Sequence, residues 1–353
     1  MKAALLALAL LVSAGSAAAT RLAPTPLTAE ALLAADVPEQ TVQKVAGGNW
    51  WPNPPAFDTV VFQSDPQPKL TSGVTFEQVG GHSTIVTTLY AFRSADQSLK
   101  FLLYAELVGP PVDEKNPTVG DRRAYYTTTL PDGRPATRLF FTRGRVGVAI
   151  EVNGESWSAA RVAGIAQPID AGVRGLLDGS LRPPSIPAAQ LALMPAPAAA
   201  PGPLLGTAPI SQRAWATVDR DGTPGQIRDR LAQRGATLLF RRYLRQGSPT
   251  DVIETTLFTF PGAGAATAWF APFGAGVRAG QGSLDPGGTG PHAAYRHGRD
   301  NYELRFAAGR YVGDVFCYAP FVQQPSPACE GAVRTIASRW YAQLSHAKYC
   351  PAR

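Results

Sequence analysis

The sequence predicts an α+β fold made of two tandem repeats, each an antiparallel β-sheet with helices packed on one face. Three paired observations predict it. Thr87-Thr88-Leu89-Tyr90-Ala91-Phe92 returns as Thr255-Thr256-Leu257-Phe258-Thr259-Phe260. Phe141-Thr142-Arg143-Gly144-Arg145-Val146 returns as Phe306-Ala307-Ala308-Gly309-Arg310-Tyr311. A long helical pattern then closes each copy, over 156–177 and 330–345. The matches are collinear, which one chance similarity would not give.

Each element follows from local chemistry. The Thr-Thr segments alternate β-formers with period two, as a strand requires. A small-residue turn and an apolar helix follow each. The first helix spans 94–108, with Leu99, Leu102, Leu103 and Leu107 on one face. The second spans 263–273, with Trp269 and Phe270 inward. The Gly-Arg pairs sit between strand-like runs, so each reads as a tight hairpin whose Gly takes the positive-φ position. Strands 146–152 and 311–318 follow them. Partner strands precede the Thr-Thr runs at 74–79 and 238–244, and Pro131-Asp132-Gly133 marks a further hairpin. Pro168 is a candidate break in the first closing helix.

These elements set the expected domains. Residues 1–19 read as a signal peptide: Lys2, a short apolar run, then Ala17-Ala18-Ala19 before Thr20. A retained anchor is the alternative. Residues 20–56 form an N-terminal extension, 57–181 the first module, 182–210 a Pro/Ala-rich linker, 211–346 the second module and 347–353 a tail. No later stretch is long and apolar enough for a transmembrane segment. The expected location is therefore periplasmic or secreted. In the extension, Trp50 and Trp51 are adjacent, so they cannot share one face of a strand. One is a candidate contact for a sugar or partner; alternatively both plug the end of the first sheet.

The three cysteines are Cys317, Cys329 and Cys350. Export permits a disulfide. A helix over 330–345 would be roughly 24 Å long, which separates Cys329 from Cys350. Cys317–Cys329 closes a short loop and is the expected pair, leaving Cys350 over.

The chain shows little chemistry. Its four histidines, His82, His292, His297 and His346, make no zinc spacing. Asp219-Arg220-Asp221-Gly222 begins like a calcium loop, but Arg230 stands where that loop needs Glu. Capping of the helix around Ile227–Leu231 accounts for these aspartates. No nucleophile elbow or phosphate loop is present, and Ser345-x-x-Lys348 lacks the elements that accompany such a motif in penicillin-recognising enzymes. No catalytic residue, metal site or cofactor is expected.

What remains is arginine, which carries most of the cationic side of a formal net charge of +7. One group is Arg138, Arg143 and Arg145. A second is Arg296, Arg299, Arg305 and Arg310, and a third spans 228–245. Arginine forks suit carboxylate or phosphate ligands. Because the Gly-Arg pair occurs in both copies, Arg143, Arg145 and Arg310 are the candidate binding residues. An Arg-rich genome is the competing explanation.

The Thr-rich strand, the small-residue helix, Val119-Gly120-Asp121, the Gly-Arg hairpin and the Ala/Ile-rich closing helix together resemble extracytoplasmic sensor and lipoprotein domains of actinobacteria, such as the extracellular sensor of some membrane serine/threonine kinases. The resemblance implies antiparallel sheets backed by helices, disulfides, a cleft and a non-catalytic binding role. This chain departs from that pattern in lacking a kinase, a span, a lipidated Cys and a second disulfide.

The sequence thus points to an exported, non-catalytic envelope protein binding an unknown ligand or protein partner, possibly an anionic one. A structural protein docking on other envelope chains is one alternative. A secreted hydrolase with a dispersed site is another. Export disfavours nucleic acid as a partner.

Overall fold

The computed structural model describes residues 24–58, 66–107, 113, 115–196, 202–219, 221–248, 251–276, 292–297, 301–318 and 327–347. The expected signal peptide, Arg299 and Cys350 lie outside the described residues.

The first half opens with helices α1 (Ala29–Ala35) and α2 (Glu39–Ala46) and short strands β1 (Trp50–Pro52) and β2 (Ala56–Asp58). Strands β3 (Leu70–Gln78) and β4 (Thr84–Ala91) lead into α3 (Ala95–Leu107). Strands β5 (Arg122–Thr129), β6 (Pro135–Arg143) and β7 (Val146–Asn153) precede the closing helix α4 (Ala159–Asp178). A short α5 (Ala188–Leu191) follows. The second half runs β8 (Leu204–Ile210), α6 (Gln212–Ala216), α7 (Pro224–Gln233), β9 (Thr237–Leu244), β10 (Val252–Thr259), α8 (Ala263–Gly276), β11 (His292–His297), β12 (Asn301–Ala308), β13 (Tyr311–Tyr318) and α9 (Pro327–Ala347).

The α+β expectation holds: there is a seven-stranded sheet ordered β1-β3-β4-β7-β6-β5, with β2 on β3, and a six-stranded sheet ordered β8-β9-β10-β13-β12-β11. Among the described residues the strands of both sheets pair antiparallel. Both Gly-Arg turns form. Gly144 and Gly309 take φ of +52° and +60°, and among the described residues no non-glycine has positive φ. That combination fits a two-residue turn with Gly at its first central position.

The period-two pattern sorts side chains onto two faces of each sheet. In the first sheet Leu89, Leu139, Phe141, Val148, Ile150 and Val152 share a core with Ile165, Ile169, Val173 and Leu176 of α4. In the second, Ile253, Leu257, Leu304, Phe306, Val315 and Cys317 meet Val333, Ile336, Trp340 and Leu344 of α9. These closing helices lie on one face of their sheets, and the shorter α3 and α8 sit on the other, so helices cover both faces rather than the one expected. Phe101 of α3 packs with Tyr90, Phe92, Phe140 and Ala149, and Trp269 of α8 with Leu238, Phe258 and Val312. The inward edge of α3 is Ser98, Phe101 and Leu102; Leu103, expected inward, is exposed. Ser98 Oγ donates to the Gly144 carbonyl at 2.6 Å and so turns the helix about that hairpin.

Several expectations need correction. Helix α4 passes through Pro168 unbroken, because its apolar stripe is buried along its length. Residues 29–56, expected as an extension, are integral to the first core: Leu32, Ala35, Val42 and Trp50 are buried in it. Helix α1 lies so close to α4 that a Cβ on Gly172 would stand 2.5 Å from the Ala35 carbonyl oxygen. The end of the expected linker is strand β8, whose alternate residues Gly206 and Ala208 pack against the first half. Neither tryptophan of the pair faces solvent. The Cys317–Cys329 disulfide forms as expected, with a Cα separation of 5.5 Å, and joins the end of β13 to the start of α9.

The two halves meet through the N-terminal segment. Phe57 packs with Ala208 and Phe240, and a Cβ on Gly206 would stand 2.5 Å from the Phe57 ring. The Thr207 N–H donates to Glu30 at 2.9 Å, Arg213 pairs with Glu39 at 2.7 Å, and Arg242 reaches Asp58 at 3.3 Å.

Candidate binding cavity

A cavity of about 670 Å³ lies between the halves, a volume in the range of small-molecule sites. Asn53, Pro54, Ala56 and Thr75 of the first half cover one side, and Trp215 of α6 and Phe273 of α8 close one end. The floor is one face of the second sheet.

Strand register builds that floor. Arg242 and Phe316 both pair with Glu254, and Phe316 also pairs with Glu303, so these four make one row across β9, β10, β13 and β12. Phe240, Thr256, Asp314 and Arg305 make the next row in the same way. The intervening residues of each strand point to the α9 core. A strand such as Asn301-Tyr302-Glu303-Leu304-Arg305-Phe306 therefore serves two environments at once.

Arg305 organises one end of the site. Its side chain is only 3% exposed, so it requires counter-charges. Nε donates to Asp314 at 2.7 Å, and Nη2 to Glu303 at 2.9 Å. The Asp219 and Asp221 carboxylates stand at 3.2 and 3.1 Å. The guanidinium also lies 4.1 Å from the Phe273 ring centre and 5.6 Å from that of Trp215. Burial alone would lower the Arg305 pKa, but the four carboxyls hold it well above the ordinary value. Asp219 is fixed further by the Trp215 indole N–H at 2.8 Å. The expectation that Asp219 and Asp221 cap the following helix is thereby corrected. Thr223 caps α7 through a capping box with Gln226, while the aspartates face Arg305.

Arg242 organises the other end. It donates to Glu254 at 3.0 Å and to Asp58 at 3.3 Å. The Tyr318 hydroxyl donates to the same Glu254 oxygen at 3.0 Å. Burial raises the pKa of Glu254, partly offset by Arg242 and the Tyr318 hydrogen bond. Burial likewise raises Asp58, Asp221 and Glu303. Asp314 is driven well above the carboxylate range by burial first and by Glu303 second.

Among the described residues the lining thus has five carboxyls, at Asp219, Asp221, Glu254, Glu303 and Asp314, and two guanidiniums. Asp58 and Arg230, just outside the lining, add one charge of each sign. Two buried polar atoms of lining residues have no hydrogen-bond partner: Arg242 Nε and Asn53 Oδ1. Among the described residues the lining contains no Ser, His or Cys. Among the described residues no group of three His, Cys, Asp or Glu is placed to hold a metal ion.

The hairpin arginines lie elsewhere: none of Arg143, Arg145 and Arg310 lines the cavity. Arg143 forks onto Asp170 of α4 with two contacts of 2.8 Å and reaches Asp121 at 2.6 Å. The Gly144 N–H donates to the same Asp121, so Val119-Gly120-Asp121 anchors the turn. Arg310 is exposed, and its guanidinium lies 5.6 Å from the Tyr311 ring centre. The cavity residues were hidden in sequence because alternation marks a polar face without showing what covers it.

No helix of the described residues is long and apolar enough to cross a membrane. No family model matches the chain, and no curated protein matches it. Among solved structures, the extracellular domain of PknH from Mycobacterium tuberculosis is similar at a TM-score of 0.35 and 15% identity, over 43% of this chain and 100% of that one.

Proposed function

We propose that this is an exported, non-catalytic protein that binds a small organic ligand between two duplicated modules. The observation that carries the reading is the cavity of about 670 Å³, lined by aromatic rings beside convergent carboxyl and guanidinium groups. Volume, apolar wall and a few directed polar groups together are what small-molecule sites share.

Both arginines of the cavity already hold carboxylates, so the open forks expected for an anion are not on this wall. The shared strand order of the two sheets supports duplication, as do the repeated Thr-Thr strands and Gly-Arg turns. The disulfide and the N-terminal pattern of residues 1–19 support export. Export to the periplasm or beyond is tested by fractionating the cell of origin.

The test of binding is a thermal-shift screen with the full chain against amines, sugars, organic acids and neutral aromatics. A ligand at a hundred times its Kd raises stability by about 2.7 kcal/mol. The shift should vanish in Ala56→Trp, which places an indole at the cavity wall. A shift unchanged by that variant would move the site elsewhere.

A further inference from the structure

We infer that the cavity selects a small organic cation, an amine; this rests on the binding reading above.

The charge inside opposes the charge of the chain. A protein of formal charge +7 encloses a cavity where carboxyls outnumber guanidiniums five to two. The excess is buried, where unpaired charge is strongly disfavoured. A ligand ammonium relieves it, and Asp221 is the carboxylate best placed to meet it. Asp221 is 29% exposed, whereas Asp219, Glu303 and Asp314 are 0, 11 and 3%.

The walls suit a cation as well. Arg305 already stands over Phe273 and Trp215, and Arg242 lies 5.7 Å from the Tyr318 ring centre. These aromatic faces stabilise positive charge.

The experiment is titration calorimetry of the full chain at pH 7 with probes of one scaffold and three charges: phenethylamine, 2-phenylethanol and 3-phenylpropionate. Agmatine is added as a second cation. The cations should bind with Kd at least tenfold below those of the neutral and anionic probes. Asp221→Asn should weaken phenethylamine at least fivefold and leave 2-phenylethanol unchanged. Asp58→Asn gives a second reading at the other end if the first variant folds poorly. Equal or tighter binding of the neutral or anionic probe, lost in Ala56→Trp, would overturn the cation inference and leave the cavity as the site. So would an amine affinity indifferent to both carboxylate variants. Binding by no probe, or binding insensitive to Ala56→Trp, would overturn the cavity reading along with it.

Discussion

Trp50 and Trp51 are neighbours in the chain and members of different cores. Trp50 is buried with Val42, Phe76 and Trp157 in the first half. Trp51 is buried with Trp215, Phe258 and Trp269 of the second half. Strand β1 makes this possible, because successive side chains leave opposite faces. Each indole N–H is also satisfied locally, by the Gly47 carbonyl at 3.1 Å for Trp50 and by the Asn49 side chain for Trp51.

The pair therefore separates folding of a module from docking of the two. Truncating either buried indole should destabilise by about 3–5 kcal/mol. Trp50→Ala should lower the melting of the first half. Trp51→Ala should instead split calorimetric unfolding into two transitions. A single transition at the original temperature in Trp51→Ala would refute its role as the clasp.

Asp36 makes stability depend on pH. It is buried between α1 and β4, where its carboxylate accepts from Thr87 Oγ1 and the Val37 N–H, each at 2.7 Å. Burial outweighs both bonds and raises its pKa to about 7. Between the unfolded value near 4 and this folded value, the native state holds the extra proton. Stability from this group is thus fully present below about pH 4 and is lost as pH rises through 7. The loss is on the order of 4 kcal/mol. Asp36→Asn should flatten that part of the urea-unfolding free energy against pH. An unchanged slope would assign the titration to other groups.

Arg143 should act on stability rather than on binding. Removing it leaves Asp170 buried, with only Arg174 nearby at 3.4 Å, on an exposed side chain. Arg143→Ala should destabilise by about 3 kcal/mol. The double variant Arg145→Ala, Arg310→Ala should keep both stability and ligand affinity. Loss of affinity in that double variant would return the hairpins to the binding surface.

Much of the fold was legible because strands and helices announce themselves by period. The segment 311–318 was read with the bounds of β13, and 263–273 lies within α8. Where the reading erred, tertiary burial decided. Leu103 is as apolar as Leu102, yet only the sheet determines which of them turns inward. Residues 29–46 look like an appendage until α4 is there to receive them. The cavity was the least legible part. Arg305 and Asp314 sit nine residues apart on strands that read as half-exposed. Their partner Asp219 lies more than eighty residues upstream of Arg305. Nothing local tells that a solvated face has been roofed over.

The Cys317–Cys329 bond bears on the cavity as well as on the α9 core. Cys317 lies between Phe316 and Tyr318, two residues of the cavity floor, while its own side chain points into the α9 core. The bond therefore nails the free end of the floor to a helix on the far side of the sheet. With the thiols reduced, that margin of the floor has no covalent tether. Oxidation therefore adds a covalent restraint that runs through the sheet, from the margin of the cavity floor to the helix behind it.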